Sequence, residues 1–325
     1  MTKSHLSIDG KEFDVSKING NILCNEPMSK HTTWKVGGPA KIYYQPENSV
    51  DLQAFLKVFN GSFPIIWLGL GSNVLVRDGG INGIVINALG CMNEIEFVGG
   101  KLENNYQQVR VQAGATCSKY SRTIAEHGLH GAEFLSGIPG TMGGAIAMNA
   151  GAFGGECWDY LESVETIDGI GEIRHRKVDD FDVGYRCVKR LFNTEKDTNT
   201  EWFLSGVFSY PKNVQKLQEA KQKIRQLLEK RNSTQPVQFA NAGSVFKNPP
   251  AEYAARLIEA CGLKDYVIGD ACVSKKHANF IINRGKAKAE DIERLILMVQ
   301  EVVEEKFAIK LEREIRIIGE KSLQL

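Results

Sequence analysis

The chain has 325 residues, a formal net charge of +1 and seven cysteines, odd in number and without a CxxC spacing. Balanced charge gives no basic surface for nucleic acid or membrane, and no uncharged run approaches the ~20 apolar residues of a membrane span. The cysteines suit neither a disulfide framework nor a zinc site, and the first residues lack the apolar core of a secretory signal. These totals predict a cytoplasmic protein of two or three domains, with no metal, no nucleic-acid partner and no membrane anchor.

Residues 1–30 are polar and predict an irregular N-terminal extension. Two short strand-like runs then flank the turn Gly37-Gly38-Pro39. Ser49 is placed to cap a helix whose Leu52, Phe55, Leu56 and Phe59 share a face. Residues 63–88 read as strand, tight loop, strand, turn, strand. The loop is Gly69-Leu70-Gly71-Ser72-Asn73. It fits a dinucleotide fingerprint poorly, because the third glycine of GxGxxG falls on Val74 and a strand follows. It still offers backbone N–H groups, with Ser72 and Asn73 as side-chain donors, for a phosphate.

Residues 107–115 alternate as a strand ending in Ala113-Gly114-Ala115, and 118–127 suit a helix closed by Gly128. Next comes GIPGTMGGAIAMNAGAFGG (137–155), small and uncharged. A linker would be polar, whereas Ile138, Met142, Ile146, Met148 and Phe153 anchor this segment in a core. Its bare backbone suits either another strand or a flat cofactor whose phosphates need open N–H groups. Residues 161–177 read as two strands around Asp168-Gly169, and 201–212 as a strand ended by Pro211. The texture changes there. An amphipathic helix is predicted over 213–231, with Val214, Leu217, Ile224, Leu227 and Leu228 on one side. A strand (278–283), a second amphipathic helix (289–307) and a last strand (309–318) complete the chain. The predicted regions are 1–30, 31–105, 106–211 and 212–325.

Four stretches taken together carry a resemblance: WKVGGPA (34–40), LGLGSNVLV (68–76), the glycine-rich 137–155 and NAGSVFKNP (241–249). With YR (185–186), KHANFIIN (276–283) and LEREIRIIG (311–319), the chain resembles the UDP-N-acetylenolpyruvoylglucosamine reductase family from about residue 29 to 319. The resemblance implies an α+β fold. Its FAD-binding region, of the vanillyl-alcohol-oxidase type, would have two subdomains at 31–105 and 106–211, and 212–325 would bind substrate. No insertion carrying a substrate-binding Tyr follows the glycine stretch, so the chain is similar to the shorter type.

The implied reaction reduces the double bond of UDP-N-acetylglucosamine enolpyruvate to give UDP-N-acetylmuramate, a peptidoglycan precursor, in a monomer holding FAD non-covalently with NADPH as hydride donor. Negative charge develops on the carbon beside the carboxylate, so the site needs a cation there and a proton donor. Ser244 matches the family's proton donor and Arg186 its active-site arginine. The chain departs from the family at Val188, where a Ser is usual, which makes Arg190 a second candidate. Glu314 matches the catalytic acid, with Glu312 on the same face if 309–318 alternates as a strand. By the same resemblance Gly69, Leu70, Gly71, Ser72 and Asn73 meet the FAD pyrophosphate. Gly137, Ile138, Pro139, Gly140, Thr141, Gly143 and Gly144 run along flavin and phosphates, and Gly114 lies near adenine or ribose. Tyr185, Lys247, Asn248 and His277 contact substrate. Two other readings stay open: an FAD oxidase tethering flavin through Cys157 or His175, and a non-catalytic nucleotide-sugar binder.

Overall fold

The computed structural model describes residues 4–101, 106–191, 200–212 and 217–322. The fold is α+β, and its contacts divide the chain into two compact units. The first comprises residues 1–23, 43–69 and 83–228; the second comprises 24–42, 70–82 and 229–325. Segments 24–42 and 70–82 therefore group with the C-terminal residues. A composition shift along the chain cannot reveal this, because the grouping depends on contacts distant in sequence. Among the described residues no helix is long and apolar enough to cross a membrane.

In the first unit residues 5–14 form regular structure, against the expectation of irregularity. His5–Ile8 and Lys11–Asp14 form an antiparallel hairpin. Its alternation buries Leu6, Ile8 and Phe13, and Phe13 stacks on Phe59 at 4.6 Å. Phe59 belongs to helix α1 (Ser49–Phe59), which is capped by Asn48 rather than Ser49; the Asn48 side chain accepts from the N–H groups of Val50 and Asp51. Ile65–Leu68 pairs in parallel with the end of Ile81–Asn87, leading the chain into Gly69.

The main sheet of this unit is five-stranded and antiparallel: Ile173–Lys177, Leu161–Asp168, Glu201–Pro211, Tyr106–Gln112 and Ile95–Lys101, in that spatial order. Helices α2 (Cys117–Glu126) and α3 (Met142–Met148) contribute to its core, where Val109, Val111, Tyr120, Ile146, Val164 and Phe208 are buried. Helix α4 (Leu217–Thr234) matches the predicted amphipathic helix, while Val214 lies outside the described residues.

The second unit is built on a four-stranded antiparallel sheet ordered Ala240–Asn241, Ile281–Asn283, Ala271–Val273, Val267–Ile268. Its core joins α5 (Ala254–Ala260) and α6 (Ala289–Phe307) to Trp34, Leu75, Val245 and Phe246. The predicted face of α6 is the buried one, with Ile292, Leu295, Ile296, Val299 and Val303 inside. The expected last strand is shorter than its pattern. Arg316–Ile318 pairs in parallel with Val74–Val76, Arg313 makes a single antiparallel bridge to Phe246, and Glu312 and Glu314 precede the strand.

Candidate active site

The glycine-rich segment centres on α3. Thr141 caps it, accepting the Gly144 N–H on Oγ1 at 3.4 Å. Met142 and Gly143 donate their N–H groups to the carbonyls of Ala115 (2.8 Å) and Ala113 (3.0 Å), and Cys117 N–H donates to Gly140. Close approach explains several glycines. A Cβ on Gly143 would lie 2.7 Å from the Ala113 methyl, one on Gly69 2.5 Å from Thr141 Oγ1, and one on Gly137 2.8 Å from the Phe153 ring. Three stretches far apart in sequence, around Gly69, Gly114 and Gly137–Gly144, thus meet within the first unit.

On this helix the N–H groups of Met142, Gly143 and Gly144 are taken by protein acceptors. Gly144 differs from its neighbours in another way. It is exposed, and the nearest atom a Cβ there would meet is 3.6 Å away. Glycine in a helix costs about 1 kcal/mol relative to alanine, and no packing in this unit calls for it. A bare outer face on α3 fits a flat ring system such as flavin lying against backbone. Of the remaining stretch Gly69–Asn73, Leu70–Asn73 belong to the second unit. There the Gly71 carbonyl accepts from Thr33 N–H at 3.0 Å and the Asn73 side-chain amide donates to the Glu314 carbonyl at 3.1 Å.

Arg186 sits at the tip of a hairpin, Phe181–Gly184 with Cys187–Arg190, whose two-residue turn is Tyr185-Arg186. Its φ is 53°. The guanidinium returns to the glycine-rich segment, Nη1 donating to the Asn149 carbonyl (3.2 Å) and Nη2 to the Gly151 carbonyl (2.5 Å). It also lies 5.0 Å from the centre of the half-exposed Tyr185 ring. Arg190, the second candidate, is engaged elsewhere: with 9% of its side chain exposed, it pairs with Glu201 at 2.7 Å. Cys157 is buried in the sheet core and burial pushes its thiol up, whereas His175 is largely exposed on the strand Ile173–Lys177.

Ser244 and Glu314 are brought together in the second unit by main-chain bonds. Glu314 N–H donates to the Val245 carbonyl at 2.8 Å, and Lys247 N–H to the Glu312 carbonyl at 2.9 Å. Glu314 is the less exposed of the two acids. The Glu312 side chain is 76% exposed, 3.5 Å from Lys247 Nζ. The regular strand begins at Arg316, after both acids, where a strand over 309–318 was expected to place them on one face. Asn248 Oδ1 accepts the first N–H of α5, from Ala254. His277 is half-buried and stacks edge-on against Phe280. Its Nδ1 accepts Asn279 N–H at 3.3 Å, which requires that nitrogen to be unprotonated.

Two asparagines absent from the predicted site organise it. Asn279 grips Phe246 at both ends, its Oδ1 accepting the N–H (2.9 Å) and its Nδ2 donating to the carbonyl (2.8 Å), while its own carbonyl accepts Val245 N–H. Asn149 ends α3 in the left-handed region and presents its carbonyl to Arg186. Each sits between small or apolar residues, in MNAGA and KHANF, where a lone amide is the available sequence signal.

Comparison with known proteins gives two family matches along the chain. Residues 40–176 match the FAD binding domain family, and residues 235–318 match the C-terminal domain of UDP-N-acetylenolpyruvoylglucosamine reductase. The reductase of Legionella pneumophila is 47% identical over 322 residues, covering 98% of this chain and 99% of its own. The chain belongs to the UDP-N-acetylenolpyruvoylglucosamine reductase family. The reductase of Nitrosomonas eutropha is 44% identical, covering 95% of this chain and 92% of its own. The crystal structure of the Thermus caldophilus reductase matches with a TM-score of 0.74 at 30% identity, over 93% of this chain and all of that one.

Proposed function

We propose that the protein reduces UDP-N-acetylglucosamine enolpyruvate to UDP-N-acetylmuramate, for peptidoglycan precursor synthesis. FAD, when bound, supplies the hydride chemistry, accepting from NADPH and delivering to the vinyl carbon. Gly69–Asn73, Gly114 and Gly137–Gly144 hold it, with residues 31–211 serving the cofactor and 212–325 the substrate. The chain works as a cytoplasmic monomer.

Arg186 grips the substrate carboxylate, a task suited to a planar guanidinium that stays charged through the cycle. As charge builds on the adjoining carbon, the fixed cation stabilises it. Ser244 donates the proton to that carbon. A serine hydroxyl is a weak acid, so it needs help, and Glu314 polarises the forming enol or holds Ser244 in line. Lys247 meets the diphosphate or the carboxylate, with Tyr185, Asn248 and His277 as further contacts.

The observation that carries this reading is the bond from Glu314 N–H to the Val245 carbonyl. It supports the reading by tying the chain that carries Glu314 to the residue following Ser244 within one unit. The test is turnover. The purified protein should be yellow, and it should oxidise NADPH when the enolpyruvyl UDP-sugar is added. A colourless protein that takes up no FAD, or a flavin that molecular oxygen reoxidises rapidly without the UDP-sugar, contradicts the proposal.

A further inference from the structure

Arg186 has a backbone that only a tight turn permits and a long side chain that an exposed hairpin tip would leave mobile. Asn149 answers both. It is 2% exposed and ends α3 with φ 44° and ψ 56°, a left-handed conformation that asparagine and glycine tolerate best. That turn points its carbonyl at Arg186 Nη1. Two residues on, the Gly151 carbonyl takes Nη2, so two of the five guanidinium N–H groups are fixed on neighbouring carbonyls.

The Asn149 side chain secures the other end of the same arrangement. Nδ2 donates to the Gly184 carbonyl at 3.3 Å, immediately before Tyr185-Arg186, and to Glu156 Oε2 at 2.7 Å. Oδ1 accepts Trp158 N–H at 3.2 Å. One residue thus holds both the base of the hairpin turn and the tip of the side chain that the turn carries. All these bonds lie within the first unit.

We propose that Asn149 is the positioning residue for Arg186, fixing the plane in which the guanidinium meets the substrate carboxylate. This rests on the proposed reductase function. A cation held in one plane by carbonyl acceptors is preorganised, and stabilises developing charge without reorganising during the reaction. Released from Asn149, the hairpin tip shifts and the guanidinium rotates.

The test uses Asn149→Gly, which keeps the left-handed backbone and removes the side-chain bonds, and Asn149→Asp, which is isosteric but has no amide to donate to Gly184. In nitrogen NMR of the full chain, assigned with Arg186→Lys, the two Nη groups of Arg186 are expected as separate, slowly exchanging signals. Both variants should merge them. In the flavin-loaded enzyme, NADPH should still reduce the flavin at the original rate. Reoxidation by the enolpyruvyl substrate should slow roughly 10- to 100-fold, the scale of a small misplacement of a reacting group. Unchanged Nη signals, unchanged reoxidation, or both half-reactions falling together with the melting temperature would each overturn the proposal. If the unaltered protein is not reoxidised by this substrate, the functional reading fails, and the NMR result alone decides whether Asn149 positions Arg186.

Discussion

Glu314 donates its main-chain N–H to the carbonyl of Val245 at 2.8 Å, so the acid is tied to the residue that follows Ser244. A second bond, from the Asn73 amide to the Glu314 carbonyl, fixes the other side of the same residue. The pair can therefore be altered at its side chains without undoing the backbone that joins them. In Ser244→Ala and Glu314→Gln, NADPH should reduce the flavin normally, while reoxidation by the enolpyruvyl substrate falls about 10²- to 10⁴-fold, the usual worth of a general acid. Rapid mixing that separates the two half-reactions checks this. Loss of the first half-reaction in either variant would remove both residues from the proposed role.

The loop carrying Ser244 depends on Asn279, whose amide satisfies both polar main-chain groups of buried Phe246. In Asn279→Ala these groups lose their partner, at about 1–3 kcal/mol for each buried group left unsatisfied. The melting temperature should drop, and reoxidation should slow with it because Val245 and Phe246 follow the serine directly. An unchanged melting temperature would show that water replaces the amide.

How far the sequence reveals this site depends on distance along the chain. The helix over 289–307 was legible because its apolar residues recur at 3.6-residue spacing, which is local information. The grouping of 24–42 and 70–82 with the C-terminal residues was not, since it arises from contacts such as the Trp34 indole N–H donating to the Ile281 carbonyl, 247 residues away. Ser244 and Glu314 are singled out by motif, and the expected common strand face for Glu312 and Glu314 is absent because the strand starts at Arg316. Alternation in LEREIRII suggests a strand, whereas Glu314 N–H donates to the Val245 carbonyl and Lys247 N–H to the Glu312 carbonyl around a single bridge at Arg313, and the paired strand begins at Arg316. Capping was missed by one residue for a similar reason. Asn48 and Ser49 are both good caps, and only the fold shows which one accepts from the first turn.

His277 carries a pH prediction. Burial, with the charge of Lys264 adding to it, lowers its pKa below the ordinary 6.5. The folded protein therefore holds it neutral, as its acceptance of Asn279 N–H demands. Below pH 6.5 the unfolded chain binds a proton that the folded one resists, so stability from this group is complete above that pH. It declines as pH falls through the lowered folded value. Unfolding curves across this range should show the decline, and His277→Gln should flatten it. An equal slope in that variant would place the titration elsewhere.

Arg190 and Arg186 should separate cleanly under substitution. Arg190 belongs to a cluster on the main sheet in which Glu201, 3% exposed at its side chain, accepts from Arg176, Arg190 and Thr166. Burial opposes the charge on Glu201, but the Arg176 and Thr166 hydrogen bonds and the Arg190 charge outweigh it and hold the carboxyl below its usual range. Breaking such a buried pair costs about 3–5 kcal/mol. Glu201→Gln and Arg190→Ala should lower the melting temperature with both half-reactions preserved in the folded fraction. The contribution of Glu201 is present above about pH 4.5 and lost as pH falls below it. A selective loss of reoxidation in Arg190→Ala would transfer the catalytic role to it.

Gly144 offers the most direct test of the cofactor surface, because stability and binding should move in opposite directions. It lies on the exposed side of α3, and a methyl there would meet nothing closer than Thr141 Oγ1 at 3.6 Å. Alanine forms helix better than glycine by about 1 kcal/mol. In the flavin-free protein, Gly144→Ala should therefore raise the melting temperature. If the bare helix face is where FAD lies against the backbone, the same methyl should push the ring system away and weaken FAD binding in a fluorescence titration. Gly143→Ala is the control. Its methyl would meet Ala113 at 2.7 Å, so it should destabilise the protein even before flavin is added. A Gly144→Ala protein that is stabilised and still binds FAD as tightly as the original would show that the flavin lies elsewhere.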